Sequence, residues 1–403
     1  AVQENRDPVK IGLIGCGGRG TGAANQSLTA TDSSVIWSMG DAFSDRLNTS
    51  AKTLKGEKGD RVNVPSERRF VGFDAFQKVI DSGVDMVILT TPPHFRPQHL
   101  AAAVKAKKHV FCEKPMAVDG TGVRSVMESA RIAKEQDTNL MSGFCWRYAP
   151  AMRAAYNQIL GGTIGDVRSI FASYYTAPLW IKPRKDDWSD MEWQMRNWVH
   201  FDWLSGDHIV EQAIHSIDKM NWAMRDKPPI RCWGTGGRQV RTDPKYGNIY
   251  DHFGVEFSWA DGTQGYHFCR QMDNCENGVW DRIYGTKGKY TGESGRKLHV
   301  FSNKDGLMWR WNAGPKGERS NNGYQTEHDE LFASIRSGQP INNGEYMAKS
   351  TLLAIMGLMA TYTGQEITWD MALHSREVLG PEKYEWGPAP AVRIAMPGLT
   401  KFI

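Results

Sequence analysis

The first third of the chain alternates short apolar runs with amphipathic stretches. Val9–Ile14 is apolar enough for a strand buried on both faces, and Gly20–Leu28 has the spacing of a helix start. Val35–Met39, Asp85–Thr90, His109–Cys112 and Asn139–Phe144 read as further strands. Between them Asp45–Lys55, Gly72–Ile80 (a turn and a helix), Pro97–Lys105 and Gly122–Glu135 read as helices. Strands separated by helices require right-handed crossovers, and so a parallel sheet covered on both faces. The pattern therefore predicts an α/β fold whose first domain, 1–148, is a doubly wound parallel sheet.

The pattern then changes. After a helical stretch at Ala151–Leu160, strand-like runs follow at Val167–Thr176, Ile230–Val240, Tyr250–Trp259, Thr263–Met272 and Trp280–Tyr284, several joined by turn residues such as Ala260–Asp261–Gly262. Consecutive strands without helices predict a second, α+β domain, 149–379, around an open, mostly antiparallel sheet. Helical periodicity returns at Thr326–Ser337 and Ala348–Thr363, and a tail, 380–403, is rich in Pro and Gly. An insertion, 178–207, places Trp180, Trp188, Trp193, Trp198 and Trp203 among many charges. Indoles with polar neighbours suit the apolar faces and hydroxyls of carbohydrate, and they equally suit the packing of an insertion or a subunit interface.

Composition narrows the function classes. With 403 residues and a formal net charge of +4, the chain holds two or three domains and no concentrated basic block, which argues against nucleic acid as its partner. No run of about 18 uninterrupted apolar residues is present, so no membrane span is expected. Cys16, Cys112, Cys145, Cys232, Cys269 and Cys275 form no C-x-x-C pair and read as small buried hydrophobes. The chain starts at Ala1 with a polar arm, Ala1–Pro8. The expectation leans to a periplasmic protein whose export signal has been removed, with a cytoplasmic one as the alternative.

Chemistry enters at Gly15, Gly17 and Gly20, a G-x-G-x-x-G that follows a strand and opens a helix, with Gly18 and Arg19 inside it. In that context the first glycine makes the turn and the second admits a pyrophosphate. The third lets helix and strand pack, and the helix N-terminus faces the phosphates. An acid is needed at the end of the next strand to accept ribose hydroxyls, and Asp41 stands there. Its charge favours NAD and makes NADP the lesser candidate, with Arg46 nearby to soften the choice.

Thr90–Thr91–Pro92–Pro93–His94 closes one strand and Glu113–Lys114–Pro115 the next. With the glycine turn, these resemble the Gfo/Idh/MocA family of glucose–fructose oxidoreductases and inositol dehydrogenases. Gly143–Tyr148, Ile283–Gly288, Glu330–Gly338 and Ala348–Gly364 are similar to later family elements. The resemblance implies a Rossmann domain followed by an open-faced antiparallel sheet. It implies that Thr91, Pro92, His94, Glu113 and Arg147 line the cofactor, and that Lys114 sits beside the nicotinamide and the reacting hydroxyl. An ammonium there stabilises a developing alkoxide while a histidine takes the proton. The family carries an acid four residues before that histidine. Glu211 and His215 have the spacing here, with glutamate standing where aspartate is usual.

Tyr148, His208, Asp218 and Trp198 are the expected substrate contacts. His208, Glu211 and His215, spaced i, i+3, i+7 on one helix face, are also a candidate divalent-metal set, set against a polar face lining a sugar pocket. The leading expectation is NAD-dependent oxidation of a secondary hydroxyl of a sugar, glycoside or cyclitol. The alternative is a glycosidase or lyase that oxidises the ring transiently and eliminates with no net redox. A non-enzymatic sugar-binding protein ranks last, because Lys114 is present. An exported enzyme would have to retain its NAD tightly, with the arm Ala1–Pro8 covering the adenine side. An open sheet face predicts a homodimer or homotetramer.

Overall fold

The computed structural model describes residues 7–293, 298–312 and 322–403. Most of the expected N-terminal arm, residues 1–6, therefore lies outside the described residues. The chain opens with β1 (Val9–Ile14), α1 (Gly18–Ala30), β2 (Ser34–Asp41), α2 (Ser44–Lys58) and β3 (Arg69–Val71). It continues through α3 (Ala75–Asp81), β4 (Met86–Leu89), α4 (Arg96–Lys105), β5 (His109–Cys112), α5 (Gly120–Glu135) and β6 (Leu140–Ser142). The six strands are parallel in the order β3-β2-β1-β4-β5-β6. This is the expected doubly wound sheet, with its switch point between β1 and β4. All four residues of β4 are buried, as a strand covered on both faces requires. Strand β3 escaped the sequence pattern because its three residues are short of a period and largely exposed.

The second half runs α6 (Pro150–Leu160), β7 (Val167–Thr176), α7 (Asp190–Arg196), α8 (Asp202–Ser205), α9 (Asp207–Glu211), α10 (Ile214–Ala223), β8 (Arg231–Gly237), β9 (His252–Ser258), β10 (Gln264–Gln271) and β11 (Trp280–Gly285). Strands β12 (Lys289–Glu293), β13 (Leu298–Asn303) and β14 (Gly306–Arg310) follow, then α11 (Gly323–Ser337), α12 (Gly344–Thr363), β15 (Ile367–Thr368) and α13 (Trp369–His374). The nine strands order as β14-β13-β12-β11-β7-β10-β9-β8-β15, antiparallel except for β7 beside β10. The mostly antiparallel sheet is as expected. The parallel pair arises because the tryptophan insertion, α7–α10 and two further strands intervene between β7 and β10. Strand β14 is exposed at nearly every position, so it carries no alternation to read.

By internal contacts the chain divides into two units: Ala1–Met116 with Ser125–Tyr148 and Asn322–Met347, and Ala117–Arg124 with Ala149–Asn321 and Ala348–Ile403. The expected boundary after residue 148 corresponds to one of these cuts. The expected assignment of α11 to the second domain is corrected. Leu331 and Phe332 of α11 are buried in the same core as Ile11, Leu13, Ala23, Ala24 and Leu28 of the first unit. A helix periodicity shows that a face is apolar, and not which core it enters. The expected separate tail is likewise part of the second unit, held by Tyr250 Oη donating to Ala395 O at 2.8 Å and Asn248 donating to Arg393 O at 3.0 Å.

The insertion is structured. Ser189 caps α7 by accepting from Glu192 N at 3.2 Å, and Trp203 is buried with its Nε1 donating to Gln194 at 2.6 Å. Trp180 is 45% exposed and meets Trp198 edge to face at 6.3 Å. The tryptophans thus divide between packing and surface. Cys16, Cys112, Cys145, Cys232 and Cys269 are buried, while Cys275 is only partly so. Among the described residues no helix is long and apolar enough to cross a membrane.

Candidate active site

In the first unit the site is built at the carboxyl ends of β1, β4 and β5. Gly15 leaves β1 with φ +94°, a conformation that L side chains avoid, and its N–H donates to Gly40 O at 2.8 Å. Thr90, just past β4, locks the turn by donating its hydroxyl to Gly15 O at 2.7 Å. A Cβ on Gly15 would fall 2.6 Å from Thr91 N, so the strand-end threonines and the turn fit only with glycine there. The role of Thr90 was not visible in the sequence, because the contact joins residues 75 apart.

Whether this turn fits a dinucleotide is tested by its remaining glycines. Gly17 caps α1 without a side-chain partner. A Cβ on Gly17 would meet nothing nearer than Arg46 Nη1 at 3.9 Å, and one on Gly18 would meet nothing within 4 Å. The space above the helix N-terminus is therefore open where a pyrophosphate would lie, and no acid occupies the first turn. Gly20 is different: its Cβ would lie 1.9 Å from Gly15 O, so the third glycine is required by the fold itself.

Asp41 ends β2 as predicted. Its Oδ2 accepts from Cys16 N at 2.6 Å and its Oδ1 from Phe43 N at 2.9 Å. Burial pushes its pKa up, opposed by these two amides and by Arg46. Each carboxylate oxygen keeps lone-pair capacity for a ribose hydroxyl. The residues present thus fit NAD: Gly15, Gly17, Gly18 and Gly20 at the phosphates, and Asp41 at the ribose.

The remaining predicted cofactor residues are also placed. Thr91 Oγ1 lies 3.2 Å from His99 Nδ1. Pro92 leads into His94, whose ring packs edge-on against Phe95 at 5.3 Å. Burial pushes the His94 pKa down to about 4, so its imidazole is neutral near neutral pH. Glu113 accepts from Arg19 Nε at 2.6 Å and, through its other oxygen, from the backbone N–H of Lys114 at 3.0 Å. Lys114 follows β5 and is partly buried. Gly143 is a determinant that the sequence did not reveal, since a Cβ there would lie 2.6 Å from the Glu113 carboxyl carbon. Arg147 is buried with its guanidinium 3.9 Å above the Tyr346 ring. Tyr148, an expected substrate contact, is corrected. It is only 4% exposed, belongs to the core, and donates its hydroxyl to Asn343 at 2.7 Å.

The second unit holds the other candidates, and here the sequence reading changes most. His208, Glu211 and His215 do not share one helix face, because the helix breaks at Gln212–Ala213. His215 N donates to Gln212 O at 3.4 Å, a turn-type bond to the third residue back. Glu211 closes α9 and His215 opens α10. The metal reading falls with that face: among the described residues, no group of three or more His, Cys, Asp or Glu is placed to hold a metal ion. His208 is also corrected as a substrate contact. It is 2% exposed, packed edge-on to Phe253, with Nδ1 on Asp207 Oδ1 at 3.0 Å. Asp218 is 1% exposed and accepts the Ser350 hydroxyl at 2.7 Å, which uses it to hold α12 against α10.

A glycine turn, a strand-end acid and this sheet order define a dinucleotide-binding protein of the Rossmann class. Residues 9–144 match the model of the Gfo/Idh/MocA oxidoreductase family, described by its NAD-binding Rossmann fold. Myo-inositol 2-dehydrogenase of Thermotoga maritima is 23% identical over 346 residues, covering 82% of this chain and 90% of its own. Two solved structures share the fold: aldose-aldose oxidoreductase from Caulobacter crescentus complexed with glycerol (TM-score 0.70, 19% identity) and levoglucosan dehydrogenase complexed with NADH and levoglucosan (TM-score 0.70, 18% identity). Each comparison covers 90% of this chain and 99% of the other.

Proposed function

We propose that this protein oxidises a secondary hydroxyl of a sugar, glycoside or cyclitol, with Lys114 and His215 as its acid–base pair. The observation that carries the proposal is Lys114 itself, a lysine at the carboxyl end of β5 whose backbone N–H is held by the Glu113 carboxylate. NAD, when bound at the Gly15–Gly20 turn, supplies the hydride acceptor. The Lys114 ammonium stabilises negative charge as it develops on the substrate oxygen, and His215 accepts the hydroxyl proton. Glu211, one residue before the helix break, is proposed to act on substrate hydroxyls. Trp198, beside the exposed Trp180, is proposed to offer an apolar face to the sugar.

The test is incubation with NAD and a panel of sugars, glycosides and cyclitols, followed by the absorbance of reduced cofactor. Reduction with at least one of them is expected. Replacing Lys114 by Ala is expected to lower kcat by about 100-fold or more. Release of the leaving group from an aryl glycoside with no net NADH would replace this reading with transient oxidation and elimination.

A homo-oligomer is part of the proposal. Phe171 and Tyr266 stack at 4.8 Å on the partly exposed face of the nine-stranded sheet, beside Tyr284 and with Trp233 also exposed. An aromatic patch of that kind suits burial against a second copy. Sedimentation as a monomer at all concentrations would remove this part.

A further inference from the structure

Helix α11 brings Glu327 into the first unit beside Arg19, which lies inside the phosphate-binding turn. The Arg19 side chain does not stay at the turn. Its Nε donates to Glu113 Oε1 at 2.6 Å, its Nη2 donates to Gln26 Oε1 at 2.9 Å, and its guanidinium lies 4.7 Å from the Tyr324 ring centre. Nη2 also faces Glu327 Oε1 at 3.8 Å, an ion-pair distance beyond hydrogen bonding. Glu113 in turn holds the Lys114 N–H, and Gly143 leaves room for its carboxyl group and no more.

We propose that Arg19 is a positioning residue that ties the phosphate-binding turn to Glu113 and through it to Lys114, and that Glu327 flanks this tie as a protonated, uncharged acid. The proposal rests on the reading of Lys114 given above. One guanidinium meets two carboxyl groups, of which Glu113 is 2% exposed and Glu327 fully buried. Neither Glu327 oxygen accepts a hydrogen bond from a described residue. Two buried carboxylates sharing one partly exposed guanidinium would leave a negative charge on Glu327 with no hydrogen bond from a described residue to compensate it, whereas a neutral carboxylic acid costs far less. Burial and the neighbouring Glu113 both favour the proton on Glu327, and Arg19 opposes it. With Glu327 neutral, the Arg19 charge belongs to Glu113 alone. The Glu113 carboxylate is then fixed by the guanidinium and by the Lys114 amide, in space left by the missing side chain of Gly143. A change in the turn that moves Arg19 thus moves the segment bearing Lys114.

The test separates positioning from phosphate binding. Arg19→Met is expected to lower kcat by at least about tenfold while the calorimetric Kd for NAD changes by less than about threefold, with Arg19→Lys restoring part of kcat. A raised Kd with unchanged kcat would make Arg19 a phosphate ligand and overturn the proposal. In a Lys114→Ala background, Arg19→Met is expected to add no further loss, and additive losses would also overturn it. If Lys114→Ala alone leaves kcat unchanged, it is the reading of Lys114 that fails, and infrared spectroscopy then decides the charge assignment. The infrared difference between wild type and Glu327→Gln is expected to show the carbonyl band of a protonated carboxylic acid. Its absence overturns the role of Glu327 whatever Lys114 does, and this arm also stands if Arg19→Met does not fold.

Discussion

A Cβ at position 20 would lie 1.9 Å from the carbonyl oxygen of Gly15. One at position 17 would meet nothing closer than 3.9 Å. The fold therefore requires glycine at position 20 and leaves room for a side chain at position 17. Gly20→Ala is expected to destabilise the protein by about 1–3 kcal/mol, the usual cost of forcing atoms into a packed site. Gly17→Ala is expected to leave the unfolding midpoint of cofactor-free protein in place and to weaken NAD binding by about tenfold or more, through a methyl group set against the pyrophosphate. Melting curves with and without NAD distinguish the two.

Asp41 carries a second prediction. Its carboxylate accepts two backbone N–H groups, from Cys16 and Phe43. Asp41→Ala strands both donors, at about 1–3 kcal/mol each if they stay dry. It also removes the acceptor for the ribose and the charge that repels a 2′-phosphate. Calorimetry with both cofactors is expected to show weaker NAD binding and a smaller preference over NADP. An unchanged preference would show that Asp41 is wholly structural.

In the second unit, Lys219 of α10 and Asp281 of β11 form a buried ion pair at 2.6 Å. Burial pushes the lysine pKa down and the aspartate pKa up. Lys219→Met leaves Asp281 buried without its cation and is expected to cost about 3–5 kcal/mol. The double variant Lys219→Met, Asp281→Leu is expected to recover most of that loss. Denaturant titration of the three proteins measures it.

His267 on β10 is fully buried, and neither ring nitrogen has a hydrogen-bond partner among the described residues. Burial, with the neighbouring His208 and Lys219, pushes its pKa down to about 3 from an ordinary 6.5. Between those values the unfolded chain binds a proton that the folded protein refuses. The stability from a neutral His267 is therefore fully present above pH 6.5 and is lost as pH falls towards 3. His267→Leu is expected to flatten the slope of stability against pH by up to one proton in that window. Identical slopes would mean that the folded protein admits the proton.

Local pattern made the first unit legible. Val9–Ile14, the three glycines, Asp41 and Glu113–Lys114 lie within or just beyond strands whose apolar runs announce themselves, and all occupy the expected elements. The second unit was legible as strands, but its site was not. A spacing of four residues puts Glu211 and His215 on one face only if the helix is continuous, and the turn at Gln212–Ala213 removes that condition. Tyr148 and Asp218 carry polar groups that read as site residues, yet both are buried, with Tyr148 bonded to Asn343 and Asp218 to Ser350.

The sequence by itself determined a parallel sheet, a dinucleotide turn and the lysine that follows β5, because strand burial and helix capping act over a few residues and leave a period behind. Only the tertiary structure decided that α11 belongs to the first core, that Thr90 locks Gly15, that Gly143 makes room for Glu113, and that Arg19 turns from the phosphate site towards two carboxyl groups. These are contacts between segments far apart in the chain. Their partners are chosen by shape and by the cost of leaving charge unpaired in a dry interior, and neither is written in the spacing of any one segment.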